Sequence, residues 1–575
     1  MTKSILHIDV ASVATKAHVL TLNGDGLSLA KSAICPTPAF SEDDGRTDGL
    51  GTVLDAIKAQ ISGNGQSWEP DSVMVTVSAG GEPKAICAGV VKGISGESAR
   101  RAALVAGATV SDLVCVDDGR QNFERISDLR RQDASVAVLA GGVDEEIMSS
   151  GSHQILNMAR ILSEGLPKKR WSDDRVPVVY AASYEAREEV VRILGDIEII
   201  WADNVRSKLE EENLDSAREA VVGVFSESVR SDPRFRGLGR LGLPEVLPSG
   251  HAMGLALEQL HSETGENLMG LSLDGDALQV FSDLKGIFTR TVTPITRVNP
   301  GKVARWLPHP ALEDKLGDFV QNLILRPWIL PASWDELAVF LAFWKGVIRE
   351  GIEEHRATAI ELRGVHRQRQ VGETFEVEVA GGDTLVRMPA LDRVIMAGTL
   401  SHVLLREALV SLVLDGLQPV GITSVYQDLN NALQVAGMLS PGSVRVSESL
   451  TPVAVLMSPG EDRDRVGTGW AFAGENGDKQ ALPVNPGEIK IVPVENACRI
   501  DVTLEASRGE DLGEGAGRPT VRKFEPGFSR LYLDGRSRNR LRSLDKVSSR
   551  DIIGWYRNLG IFPEDVLSGW AGGRV

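Results

Sequence analysis

The pattern of apolar and polar residues predicts that the chain opens with strands. Residues 4–10 and 15–22 alternate with the period of two that is typical of half-buried strands, and a turn signal rich in Gly and Asn follows at 23–26. Residues 48–61 instead place apolar side chains every three or four positions, which predicts a helix. Because strand-like and helix-like segments keep alternating, the pattern predicts an α/β fold with buried strands.

A second series of such segments begins near residue 267. It predicts, in order, a strand at 268–273, its hairpin partner at 286–292, helices at 312–323 and 334–355, a strand at 393–396 and a helix at 401–417. After about residue 440 the period changes to two, which predicts a β-rich region with a basic tail at 518–550 and a last helix at 549–559. We therefore predict three parts: 1–265 with an inserted α/β subdomain, 266–440, and 441–575.

Composition and charge narrow the classes of function. The chain has 575 residues, with 62 Lys and Arg against 79 Asp and Glu and a net charge of −17. Nucleic acid is not expected as a partner, because phosphate binding needs concentrated positive charge. The four cysteines form no C-x-x-C pair, which favours a reducing, cytoplasmic setting without disulfides. No apolar run approaches the roughly 20 residues of a membrane span, and the first residues do not resemble a signal peptide.

One glycine-rich motif is weak evidence of a ligand site. Gly237, Gly239 and Gly242 have G-x-G-x-x-G spacing, but a proline lies on either side of them. A dinucleotide fingerprint must follow a strand and open a helix, so we predict a loop here. The chain contains no Walker-type Gly-Lys-Ser/Thr loop, no G-x-S-x-G elbow and no H-E-x-x-H motif.

Two segments share a strand, an acid and a turn of small residues. Asp9 lies at the end of the first strand, and Asp274 with Gly275 follows the strand at 268–273. Small residues let backbone N–H groups reach phosphate oxygens, and an aspartate at a strand end can hold a hydrated Mg²⁺. Two such hairpins across a cleft would clamp a nucleotide, although two ordinary hairpins that each end in an aspartate explain the same pattern.

Several further blocks accompany these hairpins. They are 9–16 (DVASVATK), 78–81 (SAGG), 98–108, 139–144 (LAGGVD), 176–181, 186–190, 305–308, 326–327 and 418–421. Taken in this order, they resemble the glutamate mutase (methylaspartate mutase) accessory protein family, within the superfamily of actin, sugar kinases and heat-shock chaperone ATPases. The resemblance implies two actin-like (ribonuclease-H-like) lobes around a nucleotide-type cleft, with the β-rich module added at the C-terminus.

The resemblance also implies which residues would surround ATP and Mg²⁺. Asp9 would lie on the metal-water shell. The nucleotide-binding candidates are Asp9, Ser12, Thr15, Lys16, Asp274, Gly275, Gly398 and Thr399. The implied partner is a protein, for instance a cobalamin-dependent mutase.

The chain departs from the family pattern at each of these loops. Ala11 and Val13 replace Gly and Thr, so that a Cβ crowds the phosphate position and a hydroxyl is lost. A gap-free alignment puts Ser272 at the acid position and Asp274 where a Gly is expected, so that Asp274 and Asp276 add two negative charges that repel phosphate. A shift by two residues restores Asp274 as the acid but leaves no threonine after it. Residues 396–399 (MAGT) stand where the family has a Gly-Gly pair. We therefore predict that ATP binding is weak or lost.

Three functions are consistent with these observations. The first is a non-catalytic or weakly nucleotide-binding scaffold that docks a protein partner through the C-terminal module. The basic tail at 518–550 motivates this docking role, and a solvated basic face that balances the acidic body is the alternative. The second is an ATP-dependent accessory or reactivating chaperone for a cobalamin-dependent mutase such as glutamate mutase. The third, a small-molecule kinase, requires a base near the γ-phosphate, and none can be placed; homo-oligomer formation is left open.

Overall fold

The computed structural model of the chain forms two compact units. Unit 1 comprises Met1–Gln259 and Asn430–Val446, and unit 2 comprises Leu260–Leu429 and Ser447–Val575. The residues that the structure describes are 3–11, 14–23, 26–37, 49–62, 70–78, 83–144, 152–169, 172–242, 244–327, 329–359, 390–458, 469–473, 479–482, 484, 487–494, 500–504, 518–524, 527–536, 541 and 547–573. The division into 1–265, 266–440 and 441–575 stays a prediction.

The first sheet of unit 1 combines antiparallel and parallel strands. Its strands are β1 (Lys3–Val10), β2 (Ala14–Asn23), β3 (Gly26–Pro36), β4 (Ser72–Val77) and β10 (Glu245–Pro248). They lie in the order β3-β2-β1-β4-β10, where β2 is antiparallel to both β1 and β3, and β4 and β10 run parallel to β1. This strand order, with these directions, is that of a ribonuclease-H-like lobe.

One face of this sheet is covered by α1 (Gly49–Ser62) and by a 3₁₀ helix, Pro233–Leu241. The 3₁₀ helix includes two glycines of the G-x-G-x-x-G motif. Its Phe235 and Leu238 are buried in the core of the lobe, three residues apart, as the 3₁₀ period requires. The prediction of a loop at this motif is therefore wrong, because an apolar i, i+3 pair anchors the segment to the sheet.

The other face is covered by α7 (Ser249–Thr264) and α12 (Ala432–Met438). The two helices pack so closely that a Cβ added at Gly437 would lie 1.8 Å from the carbonyl oxygen of Ala252. Only glycine fits at this crossing.

A second, wholly parallel sheet occurs in the chain between β4 and β10. Its strands are β5 (Lys84–Gly89), β6 (Thr109–Cys115), β7 (Val136–Ala140), β8 (Val178–Tyr180) and β9 (Ile199–Trp201), in the order β6-β5-β7-β8-β9. Its helices are α2 (Glu97–Val105), α3 (Asn122–Leu129), α4 (Ser152–Gly165), α5 (Arg187–Leu194) and α6 (Asp215–Ser231). Because α2 and α6 cover one face and α3, α4 and α5 the other, the subdomain is doubly wound.

The sheet of unit 2 begins with the same arrangement as the first sheet of unit 1. Its first strands are β11 (Leu268–Asp274), β12 (Ala277–Leu284), β13 (Ile287–Pro294), β14 (Arg393–Ala397) and β15 (Gly421–Gln427), in the order β13-β12-β11-β14-β15. The first three are antiparallel and the last two run parallel to β11. The hairpin partner of β11 is β12, so the prediction of 286–292 was wrong. The turn signal at 283–286 is real, but it joins β12 to β13.

Strands from the C-terminal region extend this sheet. They are β16 (Thr451–Ser458), β22 (Arg530–Asp534) and β19 (Ile489–Pro493), added in that order beyond β15. A further antiparallel sheet is formed by β17 (Gly469–Ala473), β18 (Lys479–Leu482), β20 (Ile500–Leu504) and β21 (Thr520–Phe524). The strand order thus confirms the predicted fold class of two ribonuclease-H-like lobes with a β-rich C-terminal part.

Helices complete the core of unit 2. They are α8 (Pro300–Ala304), α9 (Glu313–Leu325), α10 (Trp334–Thr358), α11 (Arg406–Leu412), α13 (Ser549–Leu559) and α14 (Glu564–Ala571). The helix predicted at 401–417 is interrupted, because a π-helical turn at Val413–Leu417 follows α11. This turn contains Asp415, which makes buried ion pairs with Lys345 and Arg536. Among the described residues, no helix is long and apolar enough to cross a bilayer.

Candidate functional site

Asp9 is the centre of a buried hydrogen-bond network in unit 1. It is 5% exposed. Its Oδ1 accepts hydrogen bonds from the hydroxyls of Thr76 at 2.8 Å and Ser249 at 2.9 Å, and its Oδ2 accepts one from Nδ2 of Asn431 at 2.9 Å. Three neutral donors therefore surround the aspartate for which the resemblance implies a place on a metal-water shell.

Three separate elements bring these donors to Asp9. Thr76 is the register partner of Asp9 in the parallel pair of β1 and β4. Ser249 is the first residue of α7, whose N-terminus carries a partial positive charge that favours a carboxylate. Asn431 precedes α12 with a left-handed φ of 51°, which asparagine tolerates better than most residues. A serine at the start of a helix is a recognisable sequence signal, but no local pattern connects Asn431 with Asp9.

Further ionisable side chains lie on the same face of the sheet. In the antiparallel pair of β1 and β2, His7 is opposite His18 and Asp9 is opposite the buried Lys16. Thr76 donates its one hydroxyl proton to Asp9, so Nε2 of His7, 3.0 Å away, must donate to Thr76. Burial, with a smaller effect of Lys16, lowers the pKa of His7 to about 3. His7 is therefore neutral at pH 7, and Asp9 receives its hydrogen bonds from neutral groups.

Thr15 belongs to a different group of contacts. Its hydroxyl is 3.1 Å from that of Thr37, and Thr37 in turn donates to the carbonyl oxygen of Ala11 at 2.6 Å. These contacts fix the two ends of the loop that would approach a phosphate. Ser12 and Val13 lie outside the described residues.

The hydrogen bonds at Asp9 leave only about one acceptor site, on Oδ2, for a Mg²⁺ ion or its bound water. A carboxylate offers about four lone-pair sites, and three protein donors already point at this one. In the part of the chain that the structure describes, no group of three or more His, Cys, Asp or Glu side chains could hold a metal. A role of Asp9 toward metal stays a prediction that this geometry does not favour.

Asp274 lies beside the predicted residues of unit 2. Ser272 donates a hydrogen bond to its Oδ2 at 2.9 Å, and the backbone N–H of Thr399 is 3.4 Å from its Oδ1. Gly275 follows in the tight turn between β11 and β12. The end of β11 and the start of the segment after β14 therefore meet at this carboxylate.

Gly398 brings the backbone after β14 into contact with β11. Its φ is 82°, and a Cβ at this position would be 2.7 Å from the backbone N and O of Leu273. Glycine is required here for both reasons. The hydroxyl of the next residue, Thr399, is buried and has no hydrogen-bond partner among the described residues. The predicted residues of unit 2 thus form one compact group.

Three arginines of the basic tail are engaged within unit 2, whereas Arg518 and Arg550 are exposed. Arg522 pairs with Asp392, and Arg530 pairs with Glu407. Arg536 pairs with both Asp415 and Asp534. These pairs attach the C-terminal strands to the lobe. Arg538, Arg540 and Arg542 lie outside the described residues, so docking through the tail stays a prediction.

Comparison with known proteins places these observations in a family. A model of the MutL protein family matches residues 5–293, half of the chain. Protein MutL of Clostridium tetanomorphum is 29% identical over 154 residues, which are 26% of this chain and 30% of that protein. The matched part is thus less than a third of that relative's length.

Solved structures of sugar kinases are also similar. Gluconate kinase from Lactobacillus acidophilus is 10% identical with a TM-score of 0.33, covering 80% of this chain and 94% of that one. Xylulose kinase from Bifidobacterium adolescentis is 12% identical with a TM-score of 0.29, covering 79% and 96%. TM-scores this low do not support an inference about function, so the assignment of the fold depends on the strand order described above.

The family match includes both hairpins that carry the candidate aspartates, because it begins within β1 and ends within β13. It therefore contains the first blocks on which the resemblance rests. The resemblance is confirmed, and the chain belongs to the MutL protein family, the glutamate mutase accessory family.

Proposed function

We propose that this protein is a non-catalytic scaffold for a partner protein, on an actin-like ATPase fold. The aspartate of its first phosphate loop, Asp9, is hydrogen-bonded within its own lobe instead of facing a nucleotide. ATP and Mg²⁺ bind weakly or not at all. The observation that carries the proposal is the Asp9 carboxylate, held by Thr76, Ser249 and Asn431. An aspartate that orders metal-bound water needs oxygens that face the ligand, whereas these oxygens face protein donors.

The strength of these hydrogen bonds sets the barrier to ligand binding. A hydrogen bond to a charged group contributes about 1.5–3 kcal/mol. A hydrated cation that displaced two of the donors would have to offset about 3–6 kcal/mol, or roughly 10² to 10⁴ in affinity. Ala11 adds to this barrier, because its methyl group stands where the family has glycine.

An ATP-dependent chaperone that reactivates a cobalamin-dependent mutase is the second candidate. Membership in the MutL family favours it. So does the equivalent placement of Asp9 and Asp274, each near the end of the first strand of its lobe. This function requires nucleotide binding that drives a conformational change. Since both candidates need a protein partner, nucleotide affinity separates them.

Calorimetric titration of the full chain with Mg·ATP and with Mg·ADP tests the proposal. We expect no specific binding at micromolar nucleotide and no rise in the thermal unfolding temperature. A nucleotide at 100 times its Kd would add about 2.7 kcal/mol of stability, which such a measurement detects. Micromolar affinity would overturn the scaffold and support the chaperone.

The variant Asn431→Ala sharpens this test. It removes the donor to Oδ2 of Asp9 and leaves the other two in place. We expect Mg·ATP to bind about tenfold more tightly to this variant, because one charged hydrogen bond no longer competes. The neighbouring substitution Asn430→Ala is the matched control and should leave the affinity unchanged. Equal affinity of both variants for Mg·ATP would show that the hydrogen bond from Asn431 to Asp9 does not limit nucleotide binding.

A further inference from the structure

Tyr184 and Trp201 form an exposed aromatic pair at one end of the parallel sheet in unit 1. Tyr184 opens the turn after β8 and is 70% exposed, and Trp201 ends β9 and is 43% exposed. The guanidinium of Arg187 lies over both rings, 4.7 Å from the centre of Tyr184 and 5.0 Å from that of Trp201. These distances are within the range of cation–π contacts.

Hydrogen bonds hold this group in one conformation. The backbone N–H of Tyr184 donates to Oδ1 of Asp144 at 2.9 Å. Nη2 of Arg187 donates to the carbonyl oxygen of Ala202 at 3.0 Å. A surface fixed in this way loses little conformational freedom when a partner binds, so more of the contact energy remains as affinity.

The composition of the group is that of a binding hot spot. Tyr, Trp and Arg are the residue types most enriched at such sites. A ring as exposed as that of Tyr184 adds little to the core, so its fixed position is not explained by folding. The pair also lies at the edge of the parallel sheet where the carboxyl ends of all its strands meet.

Carboxylates border the aromatic pair. Glu185, Glu188 and Asp203 are exposed and make no ion pair with the described residues. With Asp144, four negative charges against the one positive charge of Arg187 leave a local charge of −3. This charge favours a positively charged partner and disfavours nucleic acid, whose phosphates it would repel.

We propose that Tyr184, Arg187 and Trp201 form a docking surface for a segment of a partner protein that is rich in lysine and arginine. The aliphatic stems of that segment pack on the rings, and its charged ends reach the bordering carboxylates. The surface is distinct from the Asp9 network, so this inference goes beyond the proposed scaffold function and stands whether or not nucleotide binds.

Fluorescence anisotropy of a short labelled peptide of alternating lysine, arginine and leucine tests this surface on the full chain. We expect Tyr184→Ala to weaken peptide binding about tenfold and Tyr184→Phe to leave it unchanged, because the ring makes the contact. Phe123→Ala is the matched control. Phe123 is 71% exposed and follows β6, at the opposite side of the same sheet from β9, so this substitution should have no effect.

A charge variant supplies an independent readout. Glu188→Gln should weaken binding about two- to fivefold at low salt, and the difference should vanish near 0.5 M salt, where the Debye length is only about 4 Å. The proposal is overturned if Tyr184→Ala binds the peptide as tightly as the wild type, if Phe123→Ala weakens it equally, or if a peptide with glutamate in place of lysine and arginine binds as tightly. Circular dichroism confirms that each variant is folded, and if Tyr184→Ala is not, Glu188→Gln decides.

Discussion

Asn431 donates a hydrogen bond to Asp9 although 422 positions separate the two residues in the chain. The bond ties β1 to the segment Asn430–Val446, which returns to unit 1 after the chain has passed through much of unit 2. The aspartate assigned to metal by the family pattern is thus part of the tertiary structure of its own lobe. Its replacement has consequences for stability even without nucleotide.

Asp9→Asn is expected to lower the free energy of unfolding by about 2–3 kcal/mol. An amide cannot accept hydrogen bonds on both of its polar atoms, so at least one buried donor faces another donor. Urea unfolding followed by circular dichroism measures the loss. Asp71→Asn is the control, because Asp71 accepts its hydrogen bond from the backbone of Ser4 at the surface and should cost under about 1 kcal/mol. Equal losses would contradict the role of Asp9.

Gly437→Ala tests the crossing of α7 and α12. The added Cβ would lie 1.8 Å from the carbonyl oxygen of Ala252, so the helices must separate. We expect a loss of more than about 2 kcal/mol in the same unfolding experiment. Gly223→Ala in α6, where nothing lies within 4 Å, should instead stabilise by about 0.5–1 kcal/mol. A neutral Gly437→Ala would mean that the crossing is looser than described.

Lys345→Met tests the buried charges that join α10 to the C-terminal strands. Nζ of Lys345 is 2.6 Å from Asp415, which is also 2.6 Å from Arg536. Burial is the largest single influence on Lys345 and opposes its charge, but Asp415 and Tyr556 together outweigh burial and raise the pKa of Lys345. Removing the lysine leaves a buried negative charge in excess and should cost about 3–5 kcal/mol.

The double variant Lys345→Met with Asp415→Asn completes this test. It removes one charge of each sign and leaves Arg536 paired with Asp534. We expect it to be more stable than the sum of the two single losses predicts, which a double-mutant cycle in urea measures. Additive losses would show that the two side chains do not interact.

His355 should make the stability of unit 2 depend on pH. Its ring lies between the hydroxyls of Ser282 and Thr291, and burial lowers the pKa of His355 to about 3. Between about pH 3 and 6.5 the unfolded state therefore binds a proton that the folded state does not, so stability falls as pH is lowered through this window. The slope is at most about 1.4 kcal/mol per pH unit for each such histidine.

His355→Gln should reduce this slope, measured as unfolding free energy in urea between about pH 4.5 and 6. His153→Gln, at an exposed position of α4, is the control and should leave the slope unchanged. A variant of His355 with the wild-type slope would contradict the assignment.

Local periodicity predicted the elements whose boundaries depend on local residues. The strand predicted at 4–10 is β1, and the helix predicted at 549–559 is α13, which a capping box at Ser548 delimits. The hairpin of β11 was missed because two turns of equal length follow each other, and the first of them, at residues 275–276, already joins β11 to β12. The helix at 401–417 was predicted whole because its apolar period gives no sign of the 3₁₀ helix at Thr399–His402 or of the π-helical turn at Val413–Leu417.

Of the residues at the candidate site, the two aspartates could be predicted from the sequence, but the hydrogen-bond donors around Asp9 could not. Asp9 and Asp274 were found because each ends a periodic strand before small residues. The donors to Asp9 come from β4, α7 and the residue before α12, and no spacing rule connects them. The family pattern could indicate that the phosphate loop was altered, but only the tertiary contacts show what now occupies its aspartate.

The segment Asn430–Val446 belongs to unit 1 but is synthesised after residues 260–429 of unit 2. Unit 1 therefore cannot complete its fold until late in translation. At roughly 5–20 residues per second, synthesis of the residues between Gln259 and Asn430 delays the helix that closes the first lobe by about 10–35 s. During that time Ile5, Leu20 and Met74 lack their packing partners from α12. The nascent chain therefore exposes apolar surface that can associate with other molecules. We expect chains that are truncated before this segment to aggregate rather than to fold into a functional unit 1. We also expect the nascent full-length chain to depend on chaperones.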